Sequence, residues 1–531
     1  MHIPKEIIQS LIKSKVKDQK SLAAFKRSIA KKYGISSPSN FDLLKAYHNY
    51  YPNKRNSVIE NSLRTRPVRS LSGIVNVSVL TKPYACPGNC IYCPTEAGMP
   101  KSYLSKEPAA QRAKMLKFDP YIQVKTRIES LQKEGHPTDK IELRIIGGTW
   151  SYYPEDYRLW YIKECFRACN SKKTKDTSQK QKCKIKDLIQ EQKRNQTAKH
   201  RIVGLSVETR PDFINENEIK FLRELGITKI ELGIQSVYDD ILEFSKRKST
   251  RQDIINATKL LKDAGFKVSY QVMPNLPLSN LKRDFEMFVE IFENQDFKPD
   301  YLKIYPLVLL KEAELYKIQD KIKFKEYTAQ ELIDLIIEIK KIVPPYVRIE
   351  RIIRDIPAEY AQNLAGQTTN MRQLVANLME KQGLKCKCIR CREIKSLNQN
   401  SKKTKLFKYE YQASEGREIL LTFESYDQQK LYSMLRLRIA DNKEHYIKAL
   451  KNCALIRDVH TFGLQTQVSK QHKLAVQHKG LGKKLIKEAE RIAKKSGKKG
   501  VAIISAVGTR EYYKKLGYKL KDTYMVKKIN G

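Results

Sequence analysis

The sequence predicts an α/β protein in which a parallel sheet covered by helices, favoured as a closed or partly open barrel, precedes a second alternating unit. Three observations support this prediction. β-branched segments alternate with amphipathic helices from residue 74 to residue 308, a polar linker follows, and a second alternating unit begins near residue 405. Parallel strands joined by helices need cover on both faces, so helices are expected to surround the first sheet. The 531 residues suffice for about three or four domains.

Positive charge dominates the composition. The chain has 102 Lys and Arg against 58 Asp and Glu, which gives a formal net charge of +44. Such a field favours a polyanionic partner, namely RNA, DNA or an anionic membrane, although a general lysine bias without such a partner is the alternative. The sequence has no run of about 18 apolar residues and no signal-peptide core, so we expect a cytoplasmic protein without membrane segments. The ten cysteines cluster locally, which in a reducing compartment favours metal binding over disulfides.

Residues 1–70 are predicted to form a basic helical region. In "SLAAFKRSIAKKYG" the apolar residues recur at helical spacing, and the region ends near the basic "RTRPVRS". We expect its basic residues to contact the phosphates of a nucleic acid.

Residues 71–360 are predicted to form the barrel. Its strands are expected at 74–80, 140–148, 201–210, 229–236, 267–274 and 301–308, and a helix is expected at 329–342. Barrels carry their chemistry at the carboxyl ends of the strands, although a doubly wound sheet would also place polar loops there. The expected strand ends are Gly147-Gly148-Thr149, Glu208-Thr209-Arg210, Gln235-Ser236, Met273-Pro274-Asn275 and Tyr305-Pro306. Residues 171–200 are polar and poorly periodic, and we expect a solvated basic insertion there.

Three cysteines after the first strand predict a metal centre. The stretch "CPGNCIYCP" places Cys86, Cys90 and Cys93 at CxxxCxxC spacing. Three thiolates can hold three irons of a [4Fe–4S] cluster and leave the fourth iron open for chemistry. A closed structural zinc site needs a fourth ligand, and no further Cys or His lies near in the sequence. A zinc site, or no metal at all, is the alternative.

This cysteine spacing, with Tyr92 before the last cysteine, resembles the radical S-adenosylmethionine (SAM) superfamily. The resemblance implies that the open iron binds the methionine moiety of SAM, whose sulfonium is cleaved to a 5'-deoxyadenosyl radical. It also implies that Gly147 and Gly148 lie at the contact to the methionine amino group.

A glycine loop opens a helix near the C-terminus. Gln477, Gly480 and Gly482 form a Q-x-x-G-x-G loop before an amphipathic segment. Backbone N–H groups at a helix N-terminus can cradle a pyrophosphate. With "GVAIISAVG" and "REYYKKLGYKL", the loop resembles the GNAT acetyltransferase fold. The resemblance implies acetyl-coenzyme A as ligand and "ALIRDVHTFGL" (454–464) as the strand along its pantetheine arm. Tyr512 and Tyr513 would then lie near the thioester, and ordinary aromatic packing is their alternative role.

The two units together resemble the family of the catalytic subunit of Elongator, from about residue 40 to the end. The motifs include "RTRPVRSLSGI", "GHPTDKIEL", "VETRPD", "ELGIQS", "VMPNLP", "VPPYVRIERIIRDIP", "QHKGLG" and "YYKKLGY". The resemblance implies a partial (β/α)6 TIM-like radical SAM barrel fused to a GNAT α+β domain at residues 405–531. The acetyl-coenzyme A ligands that it implies are Lys140, Asp458, Val459, His460, Thr461, Leu481, Gly482, Lys483 and Tyr513. Where this family has "CPGG" after the third cysteine, the present chain has "CPTE".

A second cysteine group lies in the predicted linker of residues 361–404. Cys386, Cys388 and Cys391 form a compact CxCxxC, and three thiolates this close favour a metal site. The family resemblance implies structural zinc between the barrel and the acetyltransferase unit. A second iron–sulfur cluster and free thiols are the alternatives.

The resemblance implies modification of uridine 34 in tRNA. In the reaction it implies, the radical takes a methyl hydrogen from acetyl-coenzyme A, the carbon radical adds to C5 of the uridine, and thioester hydrolysis leaves carboxymethyluridine. The wobble base must leave the anticodon loop to react. Two other functions fit parts of the sequence: a protein lysine acetyltransferase with a structural cluster, and a tRNA-binding subunit without catalysis. A second copy of the chain or other Elongator-type subunits are further expected partners.

Overall fold

The computed structural model describes residues 3–14, 16, 18–52, 57–64, 73–171, 183–354, 356–357, 360, 370–394, 404–463 and 480–529. It begins with a helical N-terminal region. The helices of this region are α1 (Lys5–Lys13), α2 (Gln19–Tyr33), α3 (Asn40–Tyr50) and α4 (Ser57–Leu63). They enclose an apolar core of their own that includes Ile7, Leu11, Leu43 and Tyr47. The helical character predicted from the apolar spacing is therefore confirmed.

Within the described residues, the first sheet has seven parallel strands in chain order. They are β1 (Val75–Leu80), β2 (Lys140–Ile146), β3 (Arg201–Thr209), β4 (Lys229–Gln235), β5 (Lys267–Val272), β6 (Tyr301–Ile304) and β7 (Arg348–Ile352). The six predicted strands are confirmed, and β7 pairs beside β6 as an additional strand. β1 and β7 are the two edges, so the sheet is a partial barrel. A doubly wound sheet would reverse its strand order, which this sheet does not do.

Helices connect these strands and bury the apolar side chains of the sheet. They are α5 (Pro108–Met115), α6 (Pro120–Lys133), α7 (Glu155–Asn170), α8 (Ile185–Asn195), α9 (Glu216–Glu224), α10 (Asp239–Phe244), α11 (Arg251–Asp263), α12 (Leu281–Glu293), α13 (Glu314–Ile318) and α14 (Ala329–Ile342). The core between sheet and helices includes the fully buried Ile141, Ile230, Val268 and Phe288. Helix α14 has the bounds that the sequence predicts.

The segment predicted as a solvated insertion is in part a packed helix. Helix α8 lies against α7, and its Leu188 and Asn195 are fully buried. The Asn195 side chain accepts a hydrogen bond from the Ile202 N–H at 2.8 Å and donates one to the His200 carbonyl at 3.0 Å. The prediction is therefore wrong for residues 185–195, because their polar groups find partners in the neighbouring backbone. Residues 172–182 of the segment lie outside the described residues.

A second, mixed sheet follows. Its strands are β8 (Lys405–Ala413), β9 (Gly416–Glu424), β10 (Leu431–Ile439), β11 (Cys453–Thr461), β12 (Gly500–Ile503), β13 (Lys519–Lys521) and β14 (Tyr524–Lys528), in the order β13-β14-β12-β11-β10-β9-β8. Neighbours in this sheet are antiparallel except β11 and β12, which are parallel. Further helices are α15 (Met371–Lys381), α16 (Ile389–Arg392), α17 (Leu481–Lys495) and α18 (Arg510–Lys514). Leu485, Ile486 and Ala489 of α17 pack into the core of this sheet. The predicted second unit is therefore present.

Buried ion pairs join the second sheet to the end of the barrel at which its strands begin. Arg457 Nη2 in β11 lies 2.5 Å from Asp300 Oδ2, directly before β6, and Arg457 Nη1 lies 2.9 Å from Glu418 in β9. Arg436 in β10 donates a hydrogen bond to the Asp300 carbonyl at 3.2 Å. All four side chains are buried. Since a buried charge requires a partner, these pairs fix how the two units meet.

In the described part of the chain, no helix combines the length and apolar character that a membrane crossing requires. All ten cysteines are free of disulfide bonds, as their local clustering predicts.

Candidate active site

The predicted cluster cysteines lie on the loop after β1, at the carboxyl end of the barrel. These cysteines are Cys86, Cys90 and Cys93. Cys90 is buried, and the other two are partly buried. Cys86 Sγ lies 3.9 Å from Thr149 Oγ1, and Thr149 follows Gly147 and Gly148 at the end of β2. The structure therefore brings the cysteine loop and the two predicted glycines together.

Two buried arginines pack against the cysteine loop. Arg247 Nη1 donates a hydrogen bond to Cys90 Sγ at 3.7 Å. Arg210 is held by Asp212 through two hydrogen bonds of 2.9 and 2.8 Å. A Cβ atom at Gly88 would overlap the Arg210 guanidinium, so any larger residue at this position would have to displace Arg210. Arg210 Nη1 and Arg247 Nε are buried and have no hydrogen-bond partner in the structure.

The donor set fits an iron–sulfur cluster. Burial, followed by the neighbouring thiols, raises the pKa of Cys93 to about 11, so a bound cation is needed to hold it as a thiolate. A single tetrahedral zinc with Zn–S of about 2.3 Å needs sulfurs about 3.8 Å apart. The sulfurs of this loop do not all lie within 4.8 Å of one another, which suits a larger centre. Arg210 and Arg247 supply positive charge beside an anionic cluster.

The residues after Cys93 anchor the loop by side-chain contacts. Thr95 Oγ1 accepts a hydrogen bond from Lys101 Nζ at 2.6 Å, and the Glu96 carboxylate accepts one from the Ser105 N–H at 2.8 Å. These contacts fold the segment back on itself. The "CPTE" sequence thus holds a defined loop without the two glycines of the resembling family.

A cavity of about 1060 Å³ opens beside the cysteine loop and extends through the barrel. Predicted strand-end residues line it, namely Gly148, Thr149, Glu208, Thr209, Arg210, Gln235, Met273, Tyr305 and Pro306. Asn76, Glu350 and Arg390 line it nearer the end where the strands begin. The cavity therefore reaches from the cysteine loop toward the second sheet.

Charged side chains of the barrel interior are paired across this cavity. Glu231 lies 3.1 Å from Arg144 and also contacts Lys303. Although burial favours the neutral acid, these two cations hold the pKa of Glu231 well below its usual value. Glu208 accepts a hydrogen bond from Tyr103 Oη at 2.7 Å. A ligand in the cavity therefore meets a fixed polar wall with charges of both signs.

The predicted acetyl-coenzyme A residues lie at the opposite end of the barrel. Lys140 begins β2, and burial lowers the pKa of its ammonium group. Asp458 accepts a 2.6 Å hydrogen bond from Tyr301 Oη and lies 4.0 Å from Lys267 Nζ, at the starts of β6 and β5. Burial lowers the pKa of the His460 imidazole. The structure thus separates this residue set from the cysteine loop by the length of the barrel strands.

β11 and β12 diverge and leave a strand edge open. Residues 453–456 of β11 pair with residues 500–503 of β12, whereas the following residues, within the described part, pair with β10 alone. Those following residues include the predicted Asp458, Val459, His460 and Thr461. Gly482 lies at the gap between the strands. A Cβ atom there would have Thr461 Oγ1, Tyr512 Oη and Val459 Cγ1 within 4.0 Å.

The N-terminus of α17 borders the same gap. Gly480 precedes the helix with φ +73°, and no side chain among the described residues caps the first turn. Leu481 is buried and Lys483 is exposed. The first N–H groups of the helix are therefore available to a ligand. Gln477 lies outside the described residues.

The two predicted tyrosines lie on α18 beside this gap. Tyr512 and Tyr513 pack edge to face, with ring centroids 5.2 Å apart. Tyr513 is buried, and burial raises its pKa above the usual value, with smaller contributions from Tyr512 and Asp458. Tyr513 therefore stays a neutral hydrogen-bond donor at neutral pH.

The second cysteine group is compact. The ligand atoms of Cys386, Cys388 and Cys391 all lie within 4.8 Å of one another, and within the described residues no fourth Cys, His, Asp or Glu joins them. Lys340 Nζ lies 3.9 Å from Cys391 Sγ. The spacing is close enough for one metal ion to contact all three sulfurs.

Known proteins resemble this chain over nearly its whole length. The radical SAM superfamily matches residues 81–290, the radical SAM C-terminal domain matches residues 299–381, and the ELP3 N-terminal domain matches residues 1–71. A Methanocaldococcus jannaschii protein named tRNA uridine(34) acetyltransferase is 43% identical over 99% of this chain and 97% of its own length. Elongator complex protein 3 of Bos taurus is 34% identical over 99% of this chain and 96% of its own length. The chain belongs to the Elongator complex protein 3 family.

A solved structure of the family agrees with the fold. The archaeal Methanocaldococcus infernus Elp3 with an N-terminal deletion (1–46) is 41% identical. It superposes with a TM-score of 0.74 and covers 86% of this chain and 100% of its own. The fold of the present chain is therefore shared with a solved relative over most of its length.

Two residues that support the candidate sites were not predicted from the sequence, namely Arg247 between α10 and α11 and Tyr301 at the start of β6. Arg247 reaches the cysteine loop, and Tyr301 reaches β11, only through the fold. Arg210 had a signal, since the "VETRPD" motif places it at a strand end. Tyr301 had a weaker one, because a polar residue at the start of a barrel strand faces whatever closes that end.

Proposed function

We propose that this member of the Elongator complex protein 3 family is a tRNA uridine(34) acetyltransferase. It places a carboxymethyl-type group on C5 of the wobble uridine, with acetyl-coenzyme A as donor. One observation carries the proposal: Cys86, Cys90 and Cys93 line the barrel cavity of a chain that is 43% identical to a protein of that name over nearly its full length.

The cysteine loop and its surroundings support a bound [4Fe–4S] cluster with SAM. When bound, such a cluster supplies a 5'-deoxyadenosyl radical. The protein itself orients the loop, because Arg247 holds Cys90 and Thr149 touches Cys86. Gly148, at φ +78° and without neighbours at its Cβ position, leaves its backbone open to the cavity, which supports a contact with the methionine amino group.

The gap beside β11 supports binding of acetyl-coenzyme A by a GNAT domain at residues 405–531. The open edge of β11 offers backbone groups to the amides of the pantetheine arm. The uncapped N-terminus of α17 offers N–H groups to the pyrophosphate, with Lys483 and Lys140 as further cations. Tyr513 would donate a hydrogen bond at the thioester.

We assign RNA binding to residues 1–70 and to the barrel at residues 71–360. The net charge of +44 supports an RNA partner, and the cavity of about 1060 Å³ is wide enough for a splayed base. We also propose other Elongator-type subunits, or a second copy of the chain, as protein partners. The absence of disulfides supports a cytoplasmic location.

The linker at residues 361–404 is proposed to hold structural zinc through Cys386, Cys388 and Cys391. We expect zinc in the purified protein and its loss in Cys388→Ser, measured by metal analysis. Cys453→Ser, which changes a buried cysteine outside the group, should keep the zinc. Equal zinc content in both variants would contradict this assignment.

An anaerobic reaction tests the main proposal. Reconstituted protein is incubated with SAM, acetyl-coenzyme A and tRNA, and the expected products are 5'-deoxyadenosine and carboxymethyluridine. Cys86→Ala should abolish both products, whereas Cys183→Ala, which changes a cysteine outside the loop, should keep both.

Two results would contradict the proposal. One is the absence of both products with the reconstituted protein. The other is acetyl-lysine formation at an unchanged rate in Cys86→Ala, which would indicate a protein acetyltransferase with a structural cluster.

A further inference from the structure

A column of stacked aromatic rings ends at the surface beside the cysteine loop. Tyr84 stacks on Tyr153 with ring centroids 4.9 Å apart and an interplanar angle of 27°. Tyr153 in turn stacks on Tyr157 at 5.1 Å and 23°. Tyr153 is buried, whereas Tyr84 is 39% exposed. Tyr84 is thus the outer ring of the column.

Hydrogen bonds hold this column in place. Tyr153 Oη donates to the Lys82 carbonyl at 2.7 Å and lies 2.9 Å from Thr81 Oγ1. Tyr157 Oη accepts a hydrogen bond from the Lys82 N–H at 3.1 Å. Because the inner rings cannot turn freely, they offer Tyr84 a fixed face to stack on, which lowers the entropy lost when Tyr84 binds a partner.

A second exposed ring makes a corner with the first. Tyr152 is 39% exposed, and its ring lies 6.0 Å from Tyr84 at an interplanar angle of 56°. On its other side it packs edge to face against Phe213 at 5.8 Å. We call Tyr84 and Tyr152 the aromatic corner.

The aromatic corner belongs to the two segments that build the active site. Tyr84 precedes Cys86 by two residues, and the Tyr152 N–H donates to the Thr149 carbonyl at 3.1 Å. Thr149 touches Cys86 and lines the cavity. The aromatic corner therefore lies two and three residues along the chain from Cys86 and Thr149, which line the cavity.

We propose that the aromatic corner stacks against a nucleobase of the substrate RNA, next to the base that enters the cavity. This inference rests on the proposed function. Exposed aromatic rings bind unpaired bases by stacking, and a flat base would extend the Tyr84 column by one ring. The partner is RNA because the chain is strongly cationic, and the exposed Lys82 lies at the base of the column with its Nζ 4.8 Å from the Tyr157 ring centroid.

A fluorescent hairpin tests this inference. An anticodon-loop hairpin with 2-aminopurine beside the wobble position is titrated with protein, without SAM or acetyl-coenzyme A. The native protein and Tyr84→Phe should quench the fluorescence. Tyr84→Ala and Tyr152→Ala should lose the quenching and bind about 5- to 150-fold more weakly. Tyr426→Ala, which changes a tyrosine that is 67% exposed in the turn between β9 and β10, should behave like the native protein.

Two further measurements separate stacking from other effects. The slope of log affinity against log salt should stay the same in Tyr84→Ala, since a tyrosine releases no counterions. SAM binding should also stay the same in Tyr84→Ala, because the aromatic corner is proposed to stack on a base of the RNA and not on the adenine of SAM.

Three outcomes would contradict the proposed stacking role of the aromatic corner. They are unchanged quenching and affinity in both alanine variants, an equal loss of affinity for a blunt RNA duplex without a loop, or a loss of SAM binding alone. A native protein that quenches the hairpin but never modifies uridine would contradict the proposed function and leave the corner standing. Full modification activity and native hairpin affinity in both alanine variants would contradict the role of the aromatic corner and leave the proposed function standing.

Discussion

At the scale of single residues, Gly88 illustrates how tightly the cysteine loop is packed. The Arg210 guanidinium occupies the space that a Gly88 side chain would need, and Asp212 keeps Arg210 from moving away. Proline and cysteine neighbours in "CPGNC" further limit how far the backbone can shift. The loop therefore depends on an interaction with a residue more than a hundred positions away.

Gly88→Ala is expected to destabilise the protein by about 1–3 kcal/mol, because a methyl group must displace a pinned arginine. Chemical denaturation measures the change, and iron content after reconstitution should fall with it. The double variant Gly88→Ala, Arg210→Ala is the control, since removing the guanidinium makes room for the methyl group. An unchanged stability of the single variant would show that Arg210 does not confine the loop.

Lys262 of α11 is a buried cation whose burial opposes folding. Its Nζ donates to the Lys298 carbonyl at 2.6 Å, and burial lowers its pKa to about 7 from an ordinary value of 10.5. Between these two values the unfolded chain binds the proton that the folded chain has lost. The free energy of unfolding should therefore rise with pH by about 1.4 kcal/mol per unit from this group.

Lys262→Met is expected to raise the stability by a few kcal/mol at neutral pH, and the gain should shrink as the pH approaches 10.5. Urea denaturation at about pH 7.5 and about pH 9.5 measures the difference between variant and native protein. Lys282→Met, at an exposed position of α12, is the matched control and should show no such trend. A constant difference at both pH values would contradict the assigned pKa.

At the scale of elements, the strands followed from the sequence better than the contacts between them. Six strands were predicted because β-branched runs between helices are a local pattern. Helix α8 was missed because its buried polar side chains find distant backbone partners, which no local pattern reveals. Asn195 accepts from the Ile202 N–H, and Gln192 donates to the Glu224 carbonyl. The cysteine and glycine motifs were found because their spacing is local. Arg247 was not, since it meets Cys90 from 157 residues away.

Arg457 is the residue of β11 on which the contact with the barrel depends. Arg457→Met leaves two buried carboxylates with fewer partners, those of Asp300 and Glu418. We expect a loss of about 3–5 kcal/mol in the free energy of unfolding, measured by urea denaturation. Adding Asp300→Asn to this variant should restore part of the loss, because the amide carries no charge. If the double variant is the less stable of the two, the pair is not the stabilising contact.

At the scale of the whole molecule, the two candidate sites lie at opposite ends of the barrel. Lys140 begins β2, and Gly148 follows it by eight positions, which at about 3.3 Å per residue is about 26 Å. The cavity spans most of this length. The proposed radical source thus faces this cavity directly, whereas the residues proposed to bind the acetyl donor lie beyond its other end, outside its lining.

The charge of the whole chain predicts the salt dependence of tRNA binding. If six to ten phosphates are neutralised, affinity should fall by about 10³- to 10⁵-fold between about 50 and about 200 mM salt. Fluorescence titration at several salt concentrations measures the slope, and a neutral ligand such as free adenosine is the control. An affinity for tRNA that does not change with ionic strength would show that the net charge of +44 has another cause.

The ion pairs of Asp300 with Arg436 and Arg457 also limit how the barrel and the second sheet of different proteins can be joined in one chain. A barrel cut away from the second sheet would leave Asp300 without its two arginine partners, and the isolated sheet would leave Arg436 and Arg457 without Asp300. Each half therefore carries a charge that is paired across the boundary with the other half. A chimaera that borrows the second sheet from a distant protein would therefore need the matching acidic residue before β6, so the two halves can be exchanged only together with their shared boundary.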